Sequence, residues 1–176
     1  FGLAATSDRD DAMDFPLLLN RFALAIEQRD ADSLADLFTA DGVYDDYFFG
    51  ASKPGSAGIG ETVEHFYAGG ANYRWEFFSP LASVSLGYAS YRFSYNSTLP
   101  EANGARVVFD GMSRFDLEAG RIKRYSEVFD RGMALAQVGF AADRLQKIGL
   151  RYARELKAMP EIAPHLASDG SAPRAD

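Results

Sequence analysis

The spacing of apolar residues predicts that the chain begins with helices. From Asp10 to Arg29, apolar side chains recur every three or four residues, as on the buried face of an amphipathic helix: Phe15, Leu18, Leu19, Phe22 and Ile26. Asp30 or Asp32 is suited to cap a second, short helix that ends at Phe38, because a short acidic side chain can accept from free amides at a helix start.

The period of the pattern then changes from helical to alternating. Asp41-Gly42 forms a turn, residues 43–49 alternate as a strand, and residues 58–68 return to a helical pattern that Gly69-Gly70 ends. Further strands separated by turn residues are predicted at 73–79, 81–95, 106–117 and 121–129. Residues 133–159 are helical again, with Leu145, Ile148, Tyr152 and Leu156 on one face.

This order predicts an α+β fold, in which N-terminal helices cover one face of a curved antiparallel sheet and a long C-terminal helix is added. No repeat or linker divides the chain, so residues 1–176 are expected to form a single domain. Its core is expected at about 10–140, followed by a helical extension at 141–160 and a loose tail at 161–176.

Composition narrows the classes of partner. The chain has 47% hydrophobic and 14% aromatic residues, enough to line an apolar pocket as well as fill a core. Its formal net charge of −7 disfavours binding to nucleic acid or to anionic membranes, because like charges repel. The expected partner is therefore a small molecule.

Metal and thiol chemistry have little support in the sequence. The chain has no cysteine, which excludes disulfides and thiolate nucleophiles, and its two histidines lack companions at metal-binding spacing. We therefore expect neither a metal nor another cofactor.

The default expectation for location is the cytoplasm. No apolar run reaches the roughly 20 residues of a membrane-spanning helix, and no signal peptide is visible. The sequence begins at Phe1 and not at Met, which leaves a removed leader open.

Candidate chemistry concentrates in Tyr44-Asp45-Asp46-Tyr47, at the end of the first predicted strand. A carboxylate that faces a core is costly unless it is paired, and such groups often serve in proton transfer. Alternation along the strand places Tyr44, Asp46 and Phe48 on one side and Asp45 on the other, where solvent is expected. Asp46 is therefore the stronger candidate.

The chain resembles the nuclear transport factor two-like, or SnoaL-like, superfamily, which includes ketosteroid isomerase, scytalone dehydratase and limonene epoxide hydrolase. Three segments carry the resemblance: Arg21 to Val43, Gly58 to Tyr67 and Gly120 to Asp130. The resemblance implies a cone-shaped fold. It says less about the reaction, because this fold hosts many chemistries as well as binding domains.

Compared with ketosteroid isomerases, Asp46 stands at the position of the general base. Phe22 stands where these enzymes have an oxyanion-hole tyrosine, and Gly111 near the place of their carboxylic acid. Asp46-Tyr47 also resembles a pair in scytalone dehydratase. The histidine that the dehydratase pattern expects on the next strand is absent, and Tyr73 or Trp75 is nearby instead.

The epoxide hydrolase pattern adds residues from later strands. Arg92 matches the central arginine, Glu127 matches one of two aspartates, and the other aligns with Ser94. If these side chains all face the cone interior, Arg92 lies between Asp46 and Glu127. The carboxyl group farther from the arginine would then have a raised pKa, as a general base requires.

The leading hypothesis is a cofactor-independent acid–base lyase for a small apolar, and by resemblance aromatic, substrate. It would catalyse dehydration or a retro-aldol-like loss of a small fragment. Asp46 would move the proton, Arg92 would hold the carboxylates or an oxyanion with Glu127 nearby, and Tyr44 or Tyr47 would donate to a substrate oxygen. The expected pocket walls are Phe22, Phe48, Tyr73, Trp75, Ser94 and Tyr125.

Two alternatives remain open at this point. One is an isomerase or an epoxide hydrolase of the same fold. The other is a non-catalytic domain for ligand binding or dimerisation. A homodimer or higher homo-oligomer is expected by resemblance, and the C-terminal helix could cover the pocket mouth or lie on a neighbouring copy.

Overall fold

The computed structural model describes residues 14–167, which form six helices, six strands and two short 3-10 turns. The helices are α1 Phe15–Glu27, α2 Ala31–Ala35, α3 Ser56–Gly69, α4 Arg131–Gln137, α5 Ala142–Lys157 and α6 Ala163–Leu166. The strands are β1 Phe38–Asp46, β2 Gly50–Ala51, β3 Gly70–Ala82, β4 Leu86–Ser97, β5 Arg106–Glu118 and β6 Arg121–Phe129. The 3-10 turns are Pro100–Ala102 and Pro160–Ile162.

The strands form one curved, unclosed sheet in the order β2-β1-β6-β5-β4-β3. Strands β3 to β6 are antiparallel neighbours, as predicted. Strand β1 instead runs parallel to β6, with Asp45 opposite Ser126, so the sheet is mixed. A parallel pair needs a long crossover between its strands, and here α3 and strands β3 to β5 supply it. This pairing brings Asp46 next to β6.

Helix α1 begins where the sequence offers a cap, since the Asp14 side chain accepts from the Leu17 amide at 3.1 Å. Its apolar face packs on the sheet and completes an aromatic core. Phe22 is fully buried there, 4.9 Å from the ring of Tyr125 and 5.8 Å from that of Phe115. Asp30 caps α2 by accepting from the Ser33 amide. The predicted start of the first helix at Asp10 lies outside the described residues.

Strand β3 is longer than predicted. A turn was expected at Ser79-Pro80, but the strand continues to Ala82, and its register with β4 shifts between Phe78 and Leu81. Ser79 has a φ of 53°, which marks the irregularity. Because β3 lies at the edge of the sheet, Pro80 can be accommodated there although it lacks an amide proton.

The predicted helix at 133–159 is divided into α4 and α5. The break includes Gly139, whose φ of 92° is easily adopted only by glycine. Helix α5 has no fully buried residue, so it lies on the body of the protein and not within it. Within the predicted tail, residues 160–166 form a 3-10 turn and α6, and residues 168–176 lie outside the described part of the chain.

Among residues 14–167, no helix is both long enough and apolar enough to cross a membrane.

Candidate active site

A cavity of about 1000 Å³ opens on the inner side of the sheet, and helix α5 forms part of its wall. Aromatic residues form a large part of its lining, among them Tyr73, Trp75, Phe93, Tyr95, Phe109 and Phe129. The ionisable side chains of this wall include Asp46, Glu127 and Arg131. A mainly apolar cavity with a few convergent polar groups is the usual form of a small-molecule site.

Asp46 is the last residue of β1 and only 4% exposed. Its Oδ1 accepts from the backbone amides of Phe48 and Phe49, each at 2.7 Å, so the turn that follows the strand fixes the carboxyl group. Burial raises the pKa of Asp46 to about 6, although the two amides act in the opposite direction. Asp46 is therefore mainly a carboxylate at neutral pH and can accept a proton.

Glu127 lies on β6, where two tyrosine hydroxyl groups hold its carboxyl. Its Oε2 accepts from the hydroxyl of Tyr91 at 2.7 Å and from that of Tyr125 at 3.0 Å. Burial and the negative charge of Asp46 raise its pKa to about 8, and the two phenols only partly offset this effect. Glu127 is therefore mainly a neutral acid at pH 7.

The two phenols beside Glu127 are themselves held in place by neighbouring groups. Tyr125 lies 2.9 Å from the Ser113 hydroxyl, which can donate to it while Tyr125 donates to Glu127. Both phenols donate to Oε2, and the backbone amide of Tyr47 also favours the charged form of Glu127 and so lowers its pKa. Gly111 contributes space to this arrangement, since a Cβ atom there would collide with the ring of Tyr91.

Arg131, the first residue of α4, is a cation that the sequence did not reveal. Its guanidinium lies between two aromatic rings, 3.4 Å from the centroid of Tyr47 and 3.5 Å from that of Tyr152. The positive charge of Arg131 lowers the pKa of Asp46 and so favours the carboxylate. Arg131 therefore places a positive charge near Asp46, which is one part of the role that was expected of Arg92.

The prediction that Arg92 lies between the two carboxyl groups is wrong. Arg92 lies on the outer face of the sheet, and its Nε donates to the Asp110 carboxylate at 3.0 Å, with both side chains more than half exposed. The neighbouring prediction for Ser94 fails for the same reason. Ser94 also faces outward and accepts from Arg106 Nη2 at 2.6 Å.

The apolar alternation of β4 explains this error. Tyr91, Phe93 and Tyr95 occupy the positions between the polar residues, and the inner side of a curved sheet buries apolar side chains. Tyr91 is fully buried, and Phe93 is 6% exposed. This pattern was visible in the sequence and indicated the inner face of β4 better than the resemblance did. It would also have identified Tyr91, the partner of Glu127, as a site residue.

The other predicted aromatic residues divide into two groups. Tyr47, Phe48, Tyr73 and Trp75 line the cavity. Phe22, Tyr44 and Tyr125 are fully buried in the core and do not line it. Of these, Tyr125 still acts on the site through its bond to Glu127. The Tyr44 side chain is buried away from the cavity, so its hydroxyl is not in place to donate to a ligand there.

Asp45 has a different partner from Asp46, although it too is part of the cavity lining. Its carboxylate binds Arg124 Nη1 at 2.8 Å in a partly exposed ion pair. The two adjacent aspartates therefore have different surroundings.

His65 lies at the rim of the cavity, where its ring is 5.5 Å from that of Phe49.

A second depression, of about 490 Å³, lies between α1 and β3. It is a weaker candidate for an active site than the cavity, because the Glu27 carboxylate in its wall already accepts a hydrogen bond from the Trp75 amide at 2.7 Å. Across the described residues, no group of three or more histidine, aspartate or glutamate side chains is arranged to hold a metal ion.

Comparison with solved structures shows the same fold in other proteins. A Catenulispora acidiphila protein with a ketosteroid isomerase-like fold, in complex with trimethylamine, is 20% identical, with a TM-score of 0.64 over 73% of this chain and 96% of that one. A Xanthomonas campestris protein provisionally assigned as a polyketide cyclase is 21% identical, with a TM-score of 0.58 over 70% and 95%. An LEH-like epoxide hydrolase from M. tuberculosis is 14% identical, with a TM-score of 0.55 over 79% and 94%.

A search of curated proteins finds no match. The model of the SnoaL-like domain, in contrast, matches residues 19–125, which include most of the sheet and the turn that holds Asp46. This match covers more than half of the chain and agrees with the resemblance inferred from the sequence. The chain belongs to the SnoaL-like domain family.

Proposed function

We propose that this protein is an acid–base enzyme that works without a cofactor on a small, largely apolar molecule. The observation that carries the proposal is the pair formed by Asp46 and Glu127 in the wall of one cavity. Their different surroundings favour a carboxylate at Asp46 and a neutral acid at Glu127 near pH 7. Two acids whose pKa values differ in this way suit a reaction that removes one proton and delivers another.

We further propose that the reaction is a lyase reaction, with dehydration as the leading case. Asp46 would remove a proton from the carbon next to a substrate carbonyl. The electron pair of that C–H bond would form a C=C bond while the adjacent C–O bond breaks. Glu127 would give its proton to the departing oxygen, which leaves as water. Afterwards a proton must return from Asp46 to Glu127, directly or through solvent, to restore the starting state.

A retro-aldol-like cleavage would use the same groups. Asp46 would then take the hydroxyl proton of a β-hydroxy ketone, the C–C bond would break, and Glu127 would protonate the enolate that leaves. Aromatic walls such as Trp75 and Phe109 suit an aryl or polycyclic substrate for either reaction. The SnoaL-like neighbours include proteins assigned to polyketide cyclisation, which is consistent with substrates of that kind.

Epoxide hydrolysis is the second candidate. Opening an epoxide with water also needs a base to activate the water and an acid to protonate the epoxide oxygen. The structural similarity to an LEH-like epoxide hydrolase supports this second candidate. In this case Asp46 would activate water, and Glu127 would protonate the epoxide oxygen.

Products from two probes can separate these reactions. The aldol adduct of benzaldehyde and acetone yields an unsaturated ketone on dehydration and benzaldehyde plus acetone on retro-aldol cleavage. Styrene oxide in water labelled with heavy oxygen yields a labelled diol on hydrolysis. A wider panel of cyclic and aryl β-hydroxy ketones, run in deuterated water, would also report proton exchange by NMR.

The variants Asp46→Asn and Glu127→Gln test the assignment of roles. Each keeps an oxygen that can accept the hydrogen bonds of the parent residue, so the fold should survive. Each should lower turnover by roughly two orders of magnitude or more, as removal of a general acid or base does. Full activity in folded Asp46→Asn protein would rule out Asp46 as the base. Ligand binding without turnover or exchange across the panel would favour a non-catalytic binding domain.

A further inference from the structure

Arg131 has no counter-charge in contact with it. Tyr47 and Tyr152 cover the two faces of its guanidinium, at 3.4 and 3.5 Å. No residue between 14 and 167 forms a hydrogen bond or a close ion pair with it, and its Nε is shielded from solvent without a partner. A guanidinium carries five N–H donors in one plane, and its edges in this structure remain unused by the protein.

A buried donor without a partner is costly, and the cost is greater when the donor is charged. The ring of Tyr152 offsets part of that cost through its contact with the cation. It cannot replace a hydrogen-bond acceptor, however, because acceptors approach the edge of a guanidinium and not its face. A planar pair of oxygens fits this edge best, since arginine and carboxylate form two parallel hydrogen bonds.

Arg131 is also held in place by its surroundings. The Asp130 side chain caps α4 by accepting from the Met133 amide at 2.9 Å, which fixes the backbone next to Arg131. Tyr152 donates its hydroxyl to the Phe48 carbonyl at 3.1 Å, in the same turn that holds Asp46. The aromatic sandwich is thus built from the β1–β2 turn, α4 and α5, and it faces the same cavity as the two acids.

We propose that Arg131 forms a binding subsite for a carboxylate carried by an otherwise apolar substrate. The inference rests on the proposed function, because the subsite would hold such a substrate with its reactive carbon near Asp46. A phosphate group fits less well, because it carries more negative charge and the Asp46 carboxylate is nearby. The second arginine of this wall, Arg151, is already paired with Glu155 at 3.7 Å. A single carboxylate on an aryl or alkyl body matches both the cation and the aromatic wall.

Equilibrium binding can test the subsite without any catalysis. The probes are phenylhexanoate and its neutral amide, phenylhexanamide, which share the same apolar body. Trp75 is the only tryptophan of the chain and lines the cavity, so its fluorescence reports occupancy. We expect the wild-type protein to bind the carboxylate about tenfold or more tighter than the amide, which corresponds to about 1.4 kcal/mol.

Three variants make the test specific. Arg131→Gln should remove the preference for the carboxylate. Asp46→Asn should keep or strengthen that preference, because it removes a nearby negative charge, and this holds whether or not Asp46 is catalytic. Arg144→Gln is the matched control: Arg144 also lies against an aromatic ring, at 3.5 Å from Phe140, but it is already paired with Glu101 at 3.1 Å. The control should keep the wild-type preference.

The outcomes separate this subsite from the proposed chemistry. Equal binding of the two probes to the wild-type protein would overturn the subsite and leave the acid–base proposal standing. Loss of the preference in Arg144→Gln as well would also overturn it, because the effect would then be one of general surface charge. If Arg131→Gln unfolds, Arg131→Lys supplies the test: a folded lysine variant must keep part of the preference, since the charge remains while the planar fork is lost.

Discussion

Asp46 and Glu127 carry the same functional group, but their partners give them different protonation. Burial raises the pKa of Asp46, but two backbone amides and the nearby cation Arg131 favour its charged form. Burial and the charge of Asp46 favour the neutral form of Glu127, although two phenols donate to it. The difference between a base and an acid thus comes from partners on separate strands and helices, and not from the type of residue.

This difference predicts a bell-shaped dependence of kcat/KM on pH. Activity should rise as Asp46 loses its proton near pH 6 and fall as Glu127 loses its proton near pH 8, with a maximum near neutrality. Because the two groups interact, the limbs report the pair and not each residue alone. The profile can be measured with any substrate found in the panel. A profile that stays flat between pH 5 and 9 would contradict the assignment.

The same pKa shifts predict how stability depends on pH. The folded state raises both pKa values, so it binds protons that the unfolded chain has already released. The stabilisation is fully present below about pH 4 and is lost as pH rises from there to 6 for Asp46 and to 8 for Glu127. Glu127→Gln removes the charge that becomes costly, so at pH 9 it should raise the free energy of unfolding by up to about 5 kcal/mol.

Urea unfolding at pH 4 and pH 9 measures this effect. At pH 4 the variant and the wild-type protein should differ little, because Glu127 is protonated in both states. Asp110→Asn is the control, since that carboxylate lies on the outer face in an exposed ion pair, where such pairs contribute about 1 kcal/mol or less. If the Glu127→Gln variant is less stable than the wild-type protein at pH 9, the raised pKa assigned to the buried Glu127 is contradicted.

The sequence predicted a part of the site. Asp46 could be found because a carboxylate follows a strand whose alternate side chains are apolar. Arg131 could not, because it lies beyond the last strand, and only the packing of α5 brings Tyr152 to its second face. Arg92 was predicted at the wrong face because the resemblance was given more weight than the alternation of Tyr91, Phe93 and Tyr95.

At the element scale, α5 acts as a cover for the cavity. It has no fully buried residue, yet Ile148 and Tyr152 line the cavity. A chain that ends at residue 140 should therefore keep its fold, with a melting temperature lower by about 5 °C or less. Its cavity should become open to solvent, so acrylamide should quench Trp75 more strongly than in the full chain.

A milder variant checks the same cover without truncation. Tyr152→Phe keeps the ring on Arg131 but removes the hydrogen bond to the Phe48 carbonyl, and it should produce an intermediate degree of quenching. If the truncated chain fails to fold, α5 belongs to the core and does not act as a cover.

Most elements could be predicted from periodicity, because a helix or strand that covers a core repeats its apolar residues at a fixed interval. The exceptions have local causes. The break between α4 and α5 depends on one glycine with a positive φ, and Pro80 is accommodated because β3 lies at an edge. The parallel pairing of β1 with β6 could not be predicted from the residues of either strand, because it is a property of the whole topology.

At the scale of the whole molecule, the outer face of the sheet carries an unusual row of apolar side chains. Phe78, Met112 and Val128 occupy facing positions on β3, β5 and β6, with Ser90 between the first two, and each of the three is at least 40% exposed. A charged pair, Arg92 and Asp110, runs beside the row. A row of this kind suits contact with a second copy, so the homodimer remains a prediction for this face.

Light scattering after size-exclusion chromatography can test the predicted homodimer. We expect the wild-type protein to be a dimer and Met112→Asp to be a monomer at the same concentration, because the charge would have to be buried in the interface. Val84→Asp is the matched control, since Val84 is 90% exposed in the turn between β3 and β4 and lies outside the row. A wild-type monomer, or loss of the dimer in the control, would contradict the prediction.

The parallel pairing of β1 with β6 has a consequence for the order of events during synthesis. Asp46 leaves the ribosome early, but its partner strand ends only at Phe129, so the hydrogen bonds between the two strands cannot form until most of the chain exists. Contacts so distant in sequence also slow folding, because a large loop must close first. Until then, the nascent β1 presents an unpaired edge and a solvated carboxylate. The two acids therefore become a pair only when the last strand docks, so that an active site would form together with the completed sheet and not before it.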